Sequence, residues 1–585
     1  MVVGSGFGGA VIAYRLAEAG LSVCVVERGK PYPPGSFPRT PVELGTSFWN
    51  PAERSYGLFD LRSFRGRLVT LVGSGLGGGS LIYAGVLLRK DERWFVQAEA
   101  GESGSEHWPV TRADLDPHYE RVERMLGAQC YPFETHAPYR ETPKTRQLKL
   151  AAEELGLAWQ LPNLGLTFAN AGCEPEVGVP IDGTGNLHDT PRFTCRLCGE
   201  CNLGCNAGSK NSLDLTYLSE AWRHGAEIRT LCEVRAIAPR PGRGYAVRYV
   251  EHGQTGADAS LVVEVTADTL VLAAGTLGTT QLLLRNRRSF PRLSAMLGRR
   301  FSANGDRLTF AVKARDHRGG GQRASAFRPS FGPVITGAIR VPDAADEGAG
   351  RGFYVEDAGY PAFLADWAGA ALRPTLRARL LRFAGRRAWS RMAAARFPGL
   401  GGAIGAALRS GILSDDALPL VGMGRDVPDG VISLRDGCLD VEWPTGSSEE
   451  YAARLRDTLR AIAGVWQAEF LDDPLGRGGG AITVHPLGGC PMGRHPGEGV
   501  VDADGQVFGY PGLYVADGSV MPGPVGPNPA LTIAALADRF ADRMVECAPS
   551  VRRDRWAAPV PVGPLLVGVA GPQDGAVLQL PPDDL

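Results

Sequence analysis

The sequence predicts an α/β chain. A Rossmann-like domain is assembled from discontinuous segments and joined to a β-sheet-based α+β domain. Three observations predict it. The glycine fingerprint Gly4-Ser-Gly6-Phe-Gly-Gly9 sits between an apolar run and a helix-like run. A second buried-strand pattern, Thr269-Leu-Val-Leu-Ala-Ala-Gly275, ends in another glycine turn. A third, Leu513-Tyr-Val-Ala-Asp517, lies near the far end. Short apolar runs that each end in a turn suit buried parallel strands, so one sheet gathers distant parts of the chain.

Residues 1–30 read as strand, glycine turn, helix, strand. Ala10 to Ala19 has helical apolar spacing, Gly20 ends it, and Leu21 to Val26 is a strand run. Gly4, Gly6 and Gly9 allow a tight turn and let a pyrophosphate approach a helix N-terminus. Glu27 closes the strand 18 residues after Gly9, where a carboxylate accepts both ribose hydroxyls of an adenosine. A ligand-free glycine turn is the plain alternative, and the strand-turn-helix context with Glu27 weighs against it. The block Gly73-Ser-Gly75-Leu-Gly77-Gly78-Gly79-Ser80 is too glycine-dense for a strand or helix. Its apolar flanks, Leu68 to Val72 and Leu81 to Leu88, argue against a linker and for a loop pressed on a flat or anionic ligand. Val234, Gly275, Asp517 and Pro529 are assigned to the same cofactor site, with Gly75, Gly77, Gly78, Gly79 and Ser80. Thr279 to Leu284 begins a helix, and Ala530 to Val545 is an apolar-periodic helix. The nucleotide domain thus spans 1–90, 210–305 and 480–550. Segments 91–209 and 306–479 form the substrate side, and 551–585, rich in Pro and Gly, reads as a tail.

Composition sets outer limits. At 585 residues the chain exceeds one ordinary core. It is 44% apolar and 21% charged, as globular proteins are. The net charge of −1 gives no basic balance for nucleic acid. No run of ~18 apolar residues is present to span a membrane. Only Met1-Val2-Val3 precede Gly4, short for a first strand of about five residues. A truncated start is therefore expected, which leaves export open beside a cytoplasmic or peripheral membrane location. Eleven cysteines, four of them clustered, do not look like a secreted disulfide scaffold.

The ordered motifs resemble the glucose-methanol-choline oxidoreductase family, nearest its cholesterol oxidase-like branch. GSGFGGA with VVERG matches the dinucleotide entry, and GLGGGSLIYAG the second flavin-contact block. HWPVTRADLDPHYERVERMLG matches the segment leading into the substrate domain, and LVLAAGTLGTTQLLL a later signature in which Thr280 replaces a common proline. HPLGGCPMG and DGSVMPGPVGPNPALTIAALADR match the C-terminal catalytic blocks. The resemblance implies FAD and oxidation of an apolar, sterol-like secondary alcohol. The electrons pass to O2 or another acceptor. A dehydrogenase for another alcohol or a sugar, or an FAD/iron–sulfur electron-transfer protein, are the alternatives. Tyr83 stands where cholesterol oxidases usually carry Asn. No histidine lies between Ala10 and Glu106, so non-covalent FAD is expected.

Alcohol oxidation removes a hydroxyl proton and a hydride, and a histidine suits the proton. The resemblance places His485 there, with Asn528 holding the substrate oxygen or the reduced flavin. Independently of the family, Asn528-Pro529-Ala530 reads as a helix N-terminus, with Asn as an ordinary cap or its dipole facing reduced flavin. Glu356, in the strand-like Phe353-Tyr-Val-Glu-Asp357, resembles the carboxylate that moves a proton in steroid isomerisation. With Asp357 beside it, an exposed acidic turn is the other reading.

Two further stretches carry chemistry. Cys195, Cys198, Cys201 and Cys205 have the C-x2-C-x2-C-x3-C spacing of a ferredoxin iron–sulfur site, without the proline that usually follows. A zinc knot, a reduced surface loop and packing remain as readings. Residues 367–414 hold nine arginines and no acidic residue, interleaved with Trp367, Leu376, Leu380, Phe383, Trp389, Met392 and Phe397. That suits either peripheral contact with anionic lipid or a solvated basic helix.

Overall fold

The computed structural model describes residues 1–65, 68–96, 106–183, 185–253, 261–316, 323–324, 327–364, 414, 416–472, 481–547 and 560–561. The basic stretch, apart from Ser414, and nearly all of the expected tail lie outside the described residues.

Five parallel strands form the nucleotide-type sheet, in the order Glu227–Arg229, Cys24–Val26, Val2–Val3, Leu270–Leu272, Leu513–Val515. Helix Phe7–Glu18 returns the chain between the second and third of these strands in space. It packs with helix Ala530–Glu546 into one apolar core with the sheet. The helix starts three residues before its apolar periodicity because Gly6 already serves as N-cap. The following strand is shorter than the run Leu21 to Val26 suggests. Gly20 sits at φ +83°, and its amide and that of Leu21 donate to the carbonyls of Ala17 and Leu16, so these residues close the helix before the strand begins.

The second layer is a six-stranded antiparallel sheet, ordered Glu469–Asp472, Arg307–Val312, Leu418–Gly424, Phe353–Asp357, Ala338–Val341, Ala158–Gln160. Side chains alternate across it. Phe353, Val355, Leu418 and Leu420 join the core formed with helices Pro143–Leu155 and Glu449–Val465. Tyr354, Glu356, Val421 and Met423 share the opposite face, since Glu356 pairs with Val421 and Tyr354 with Met423. A smaller sheet joins Ala481–Thr483 in parallel to Leu68–Gly73, which pairs antiparallel with Phe59–Phe64. It delivers residue 485 to the junction of the two layers. Within the expected tail, Val560–Pro561 adds to the edge of Leu261–Ala267.

Candidate active site

A cavity of about 430 Å³ runs along the C-terminal ends of the nucleotide-type strands toward the six-stranded sheet. Of the sequence-predicted residues, Gly4, Gly6, Glu27, Gly78, Gly79 and Val234 line it, as do Gly275, Asp517, Pro529, His485 and Asn528. Gly4, at φ +98°, lies so close to the Ala273 carbonyl that a Cβ would stand 2.3 Å from its oxygen. Gly78, at φ +54°, is pressed on Gly6. The outward sides of Gly6 and Gly79 are open, with nothing within 4 Å of a Cβ built there.

Four of the assigned cofactor residues, Gly9, Gly75, Gly77 and Ser80, are not on the wall. A Cβ on Gly9 would meet the Gly4 carbonyl at 2.0 Å, so Gly9 serves helix-strand packing. Gly75 packs against Tyr32 and Leu81, and Gly77 against Ser80 and Asp214. The Ser80 hydroxyl donates to the Gly77 carbonyl and accepts from the Leu213 amide. These residues shape the loop that carries Gly78 and Gly79.

Glu27 is more occupied than the ribose reading implies. It accepts from the Ser5 amide at 3.0 Å, the Ser5 hydroxyl at 2.7 Å and the Gly29 amide at 2.8 Å. Ser5 Oγ in turn accepts from Gly77 N at 3.0 Å. Glu27 therefore ties both glycine loops together, with one of about four lone-pair positions left for a ligand. Asp517 accepts from the amides of Gly275 and Ser519 and from the Thr279 hydroxyl. Burial raises its pKa. This carboxylate pins the start of helix Gly275–Arg285, four residues before the predicted Thr279.

His485 follows strand Ala481–Thr483. Its Nδ1 lies 2.7 Å from Asp306 Oδ1. The other oxygen of Asp306 accepts from Thr483 Oγ1 at 2.8 Å, Val484 N at 2.9 Å and His485 N at 3.2 Å. An ionised carboxylate at Nδ1 fixes the proton there and leaves the Nε2 lone pair for the cavity. Asp306 was missed at the sequence level because it sits 179 residues away, just before strand Arg307–Val312. Only the crossing of two sheets brings it to the histidine.

Asn528 is not a helix cap. Helix Ala530–Glu546 has Pro529 at its N-cap and no side-chain cap bond. The Asn528 amide instead donates to Glu356 Oε2 at 3.2 Å. Its loop is held by Asn304, another residue without a sequence signal. Asn304 Oδ1 accepts from the amides of Val525 and Gly526 at 2.9 and 3.0 Å. Its Nδ2 reaches the carbonyls of Gly526 and Pro527. The exposed acidic turn at 356–357 is not found. Both carboxylates are fully buried. Asp357 faces the helix side and pairs with Lys144, while Glu356 stands behind Asn528, off the cavity wall. Burial, with the nearby charges of Asp357 and Asp306, pushes the Glu356 carboxyl up to about 8 against the opposing bond from Asn528. Among the described residues, Glu356 Oε1 and Asn528 Oδ1 have no hydrogen-bond partner.

The four clustered cysteines are all free. Among the described residues no three of their sulfurs come within 4.8 Å of one another. Four thiolates around one zinc sit about 3.8 Å apart from Zn–S bonds of 2.3 Å. The zinc-knot reading is therefore not met.

The site's chemistry fits a flavin dinucleotide. Helices Phe7–Glu18 and Ala530–Glu546 both present N-termini beside the cavity, with neither a side-chain cap nor an acidic residue in the first turn. Such ends favour anions, a pyrophosphate at one and the electron-rich edge of a reduced ring at the other. Val234 flanks a β-bulge that breaks the ladder register beside the wall.

Two family models described as GMC oxidoreductase match residues 12–287 and 451–537. The chain belongs to the GMC oxidoreductase family. The GMC family is FAD-dependent, and both matched stretches contribute to the cavity. A cholesterol oxidase of Mycobacterium tuberculosis is 30% identical, covering 100% of this chain and 98% of its own length. A cholesterol oxidase of Acinetobacter baumannii is 27% identical over 92% of this chain and 93% of that protein. Long-chain-alcohol oxidase FAO1 of Arabidopsis thaliana is 24% identical over 95% of this chain and 67% of its own. Among solved structures, pyridoxine 4-oxidase from Mesorbium loti shares the GMC fold at 18% identity, with TM-score 0.55 over 94% of this chain and 99% of that one.

Proposed function

We propose that this GMC oxidoreductase oxidises a secondary alcohol of an apolar, sterol-like molecule to the ketone. The observation that carries the chemistry is the Asp306–His485 pair on the wall that also bears Asn528. Bound FAD supplies the hydride acceptor. Gly4, Gly6, Glu27, Gly78, Gly79 and Val234 hold the dinucleotide, and with no histidine between Ala10 and Glu106 beside the glycine blocks the FAD is taken as non-covalent. His485 Nε2 accepts the hydroxyl proton while Asp306 balances the imidazolium. Asn528 orients the substrate oxygen, and positioning the reacting C–H bond is the larger part of the task.

Two features support the apolar substrate. Ile335, Val421 and Met423 contribute an apolar wall from the second layer. The relatives named above include two cholesterol oxidases and a long-chain-alcohol oxidase. Glu356, buried beside Asn528, is assigned the proton transfer that moves a steroid double bond: as the carboxylate, which gains ground as pH approaches about 8, it takes the proton from one carbon and returns it to the other end of the alkene. Either O2 or another acceptor reoxidises the flavin. The reading is tested by adding 3β-hydroxysterols, long-chain primary alcohols and simple sugars to anaerobic enzyme and following flavin absorbance. Sterols should bleach the flavin. Bleaching by primary alcohols or sugars alone would contradict the substrate class.

A further inference from the structure

The proposed alcohol chemistry leaves the four-cysteine loop unused. Its turns need unusual backbone: Leu197 sits at φ 55°, Gly199 at +65° and Gly204 at +92°. Two amides of the loop and one from the separate segment at residue 334 point at sulfur. The Leu197 N–H donates to Cys195, the Glu200 N–H to Cys198 and the Val334 N–H to Cys201. Amides directed at thiolates stabilise their negative charge and tune bound clusters. The thiols of Cys198, Cys201 and Cys205 all lie within electrostatic reach of Cys195. Lys210 and Lys144 lie within electrostatic reach of Cys201, and Arg192 within reach of Cys205. The sulfurs are near one another yet too spread for one ion. A multinuclear cluster keeps its ligands further apart than a single ion does, because its irons stand between them.

The loop also adjoins the cavity. Lys210 Nζ donates to the carbonyls of Cys201 at 2.7 Å and Tyr83 at 3.1 Å. Tyr83, and Asn202 beside Cys201, line the cavity.

We propose that Cys195, Cys198, Cys201 and Cys205 ligate an iron–sulfur cluster that serves as an electron outlet next to the flavin site. The ligation rests on the cysteine loop alone, whereas the electron role rests on the FAD reading. Reoxidising a two-electron-reduced flavin releases two electrons, with its protons leaving to water. The cluster takes the electrons one at a time and passes each to a one-electron acceptor, such as a haem protein or ferricyanide.

The test uses full-length protein prepared anaerobically and reconstituted with ferrous ion and sulfide. Iron, acid-labile sulfide, zinc and FAD are measured per chain, and electron uptake is titrated with dithionite. Iron and sulfide should be present together, with uptake above the two electrons a flavin takes. The Cys198→Ser/Cys205→Ser variant should keep FAD and lose the iron, sulfide and extra uptake. FAD-loaded protein with neither iron nor sulfide, with zinc alone, or with disulfides among these cysteines would overturn the ligation. Iron and sulfide with no extra uptake would overturn the electron role. A chain that binds iron but no FAD would instead sink the flavin reading.

Discussion

Asp306 Oδ1 lies 2.7 Å from His485 Nδ1, and the same carboxylate caps the amides of residues 484 and 485. One acid thus fixes both the backbone and the ring tautomer of the proposed base. Asp306→Asn keeps the shape but does not hold the proton on Nδ1. Anaerobic flavin reduction by a bleaching alcohol should slow by roughly 10–10³-fold, with FAD occupancy unchanged. An undiminished rate would make Asp306 a fold residue only.

Asn304 makes four hydrogen bonds to the loop that presents Asn528. At about 1 kcal/mol net for each such bond, Asn304→Ala should destabilise the protein by about 2–4 kcal/mol. It should also slow flavin reduction, because Asn528 is no longer held against Glu356. Thermal melts and anaerobic stopped-flow check the two effects. A lower melting temperature with a normal reduction rate would separate Asn304 from the chemistry.

Glu356 gives a pH signature. In the unfolded chain its carboxyl ionises near 4.5, while folded it keeps its proton up to about 8. Between those values the folded state binds more protons, so this group lowers stability as pH rises from about 4.5 to 8, levelling off above. The full penalty is on the order of a few kcal/mol. Glu356→Gln does not titrate, so its melting temperature should rise relative to wild type between pH 5.5 and 8.5. A constant difference across that range would mean Glu356 is ionised in the fold. With a 3β-hydroxy-5-ene sterol, the same variant should keep oxidising and accumulate the unisomerised ketone.

Glu27 ties the two glycine loops through Ser5 and Gly29. Glu27→Ala should lower FAD retention by loosening those loops and removing the ribose contact. Absorbance of the protein after gel filtration reads the occupancy. Heat or acid should release FAD from the wild type into the supernatant, and flavin that stays with the denatured chain would refute non-covalent binding.

Much of the nucleotide half was legible because its signals are local. Gly4, Gly6 and Glu27 fall within one strand-turn-helix-strand unit, and the apolar runs at 270–272 and 513–515 mark their own strands. Gly78 and Gly79 reach the cavity, whereas Gly75 and Gly77 pack behind it, and dense glycine looks alike in either place. Strand Glu227–Arg229 carries two charged side chains in three residues and gives no buried-strand pattern. His485 and Asn528 were visible through the family resemblance, but the residues that hold them were not. Asp306 and Asn304 precede strand Arg307–Val312 and meet His485 and the 525–527 loop across separate elements far apart in the chain, which no local spacing encodes. Glu356 was placed on its strand, yet its burial behind Asn528 follows from sheet pairing with Val421 rather than from neighbouring residues.

The most direct measurement is anaerobic stopped-flow reduction of FAD-replete His485→Gln by whichever alcohol bleaches the wild-type flavin. With His485 Nε2 as proton acceptor, reduction should slow by about 10²–10⁴-fold while FAD occupancy stays at the wild-type level. Asn528→Leu should slow it as well. Flavin reduction at the wild-type rate in FAD-replete His485→Gln would contradict the proposed site.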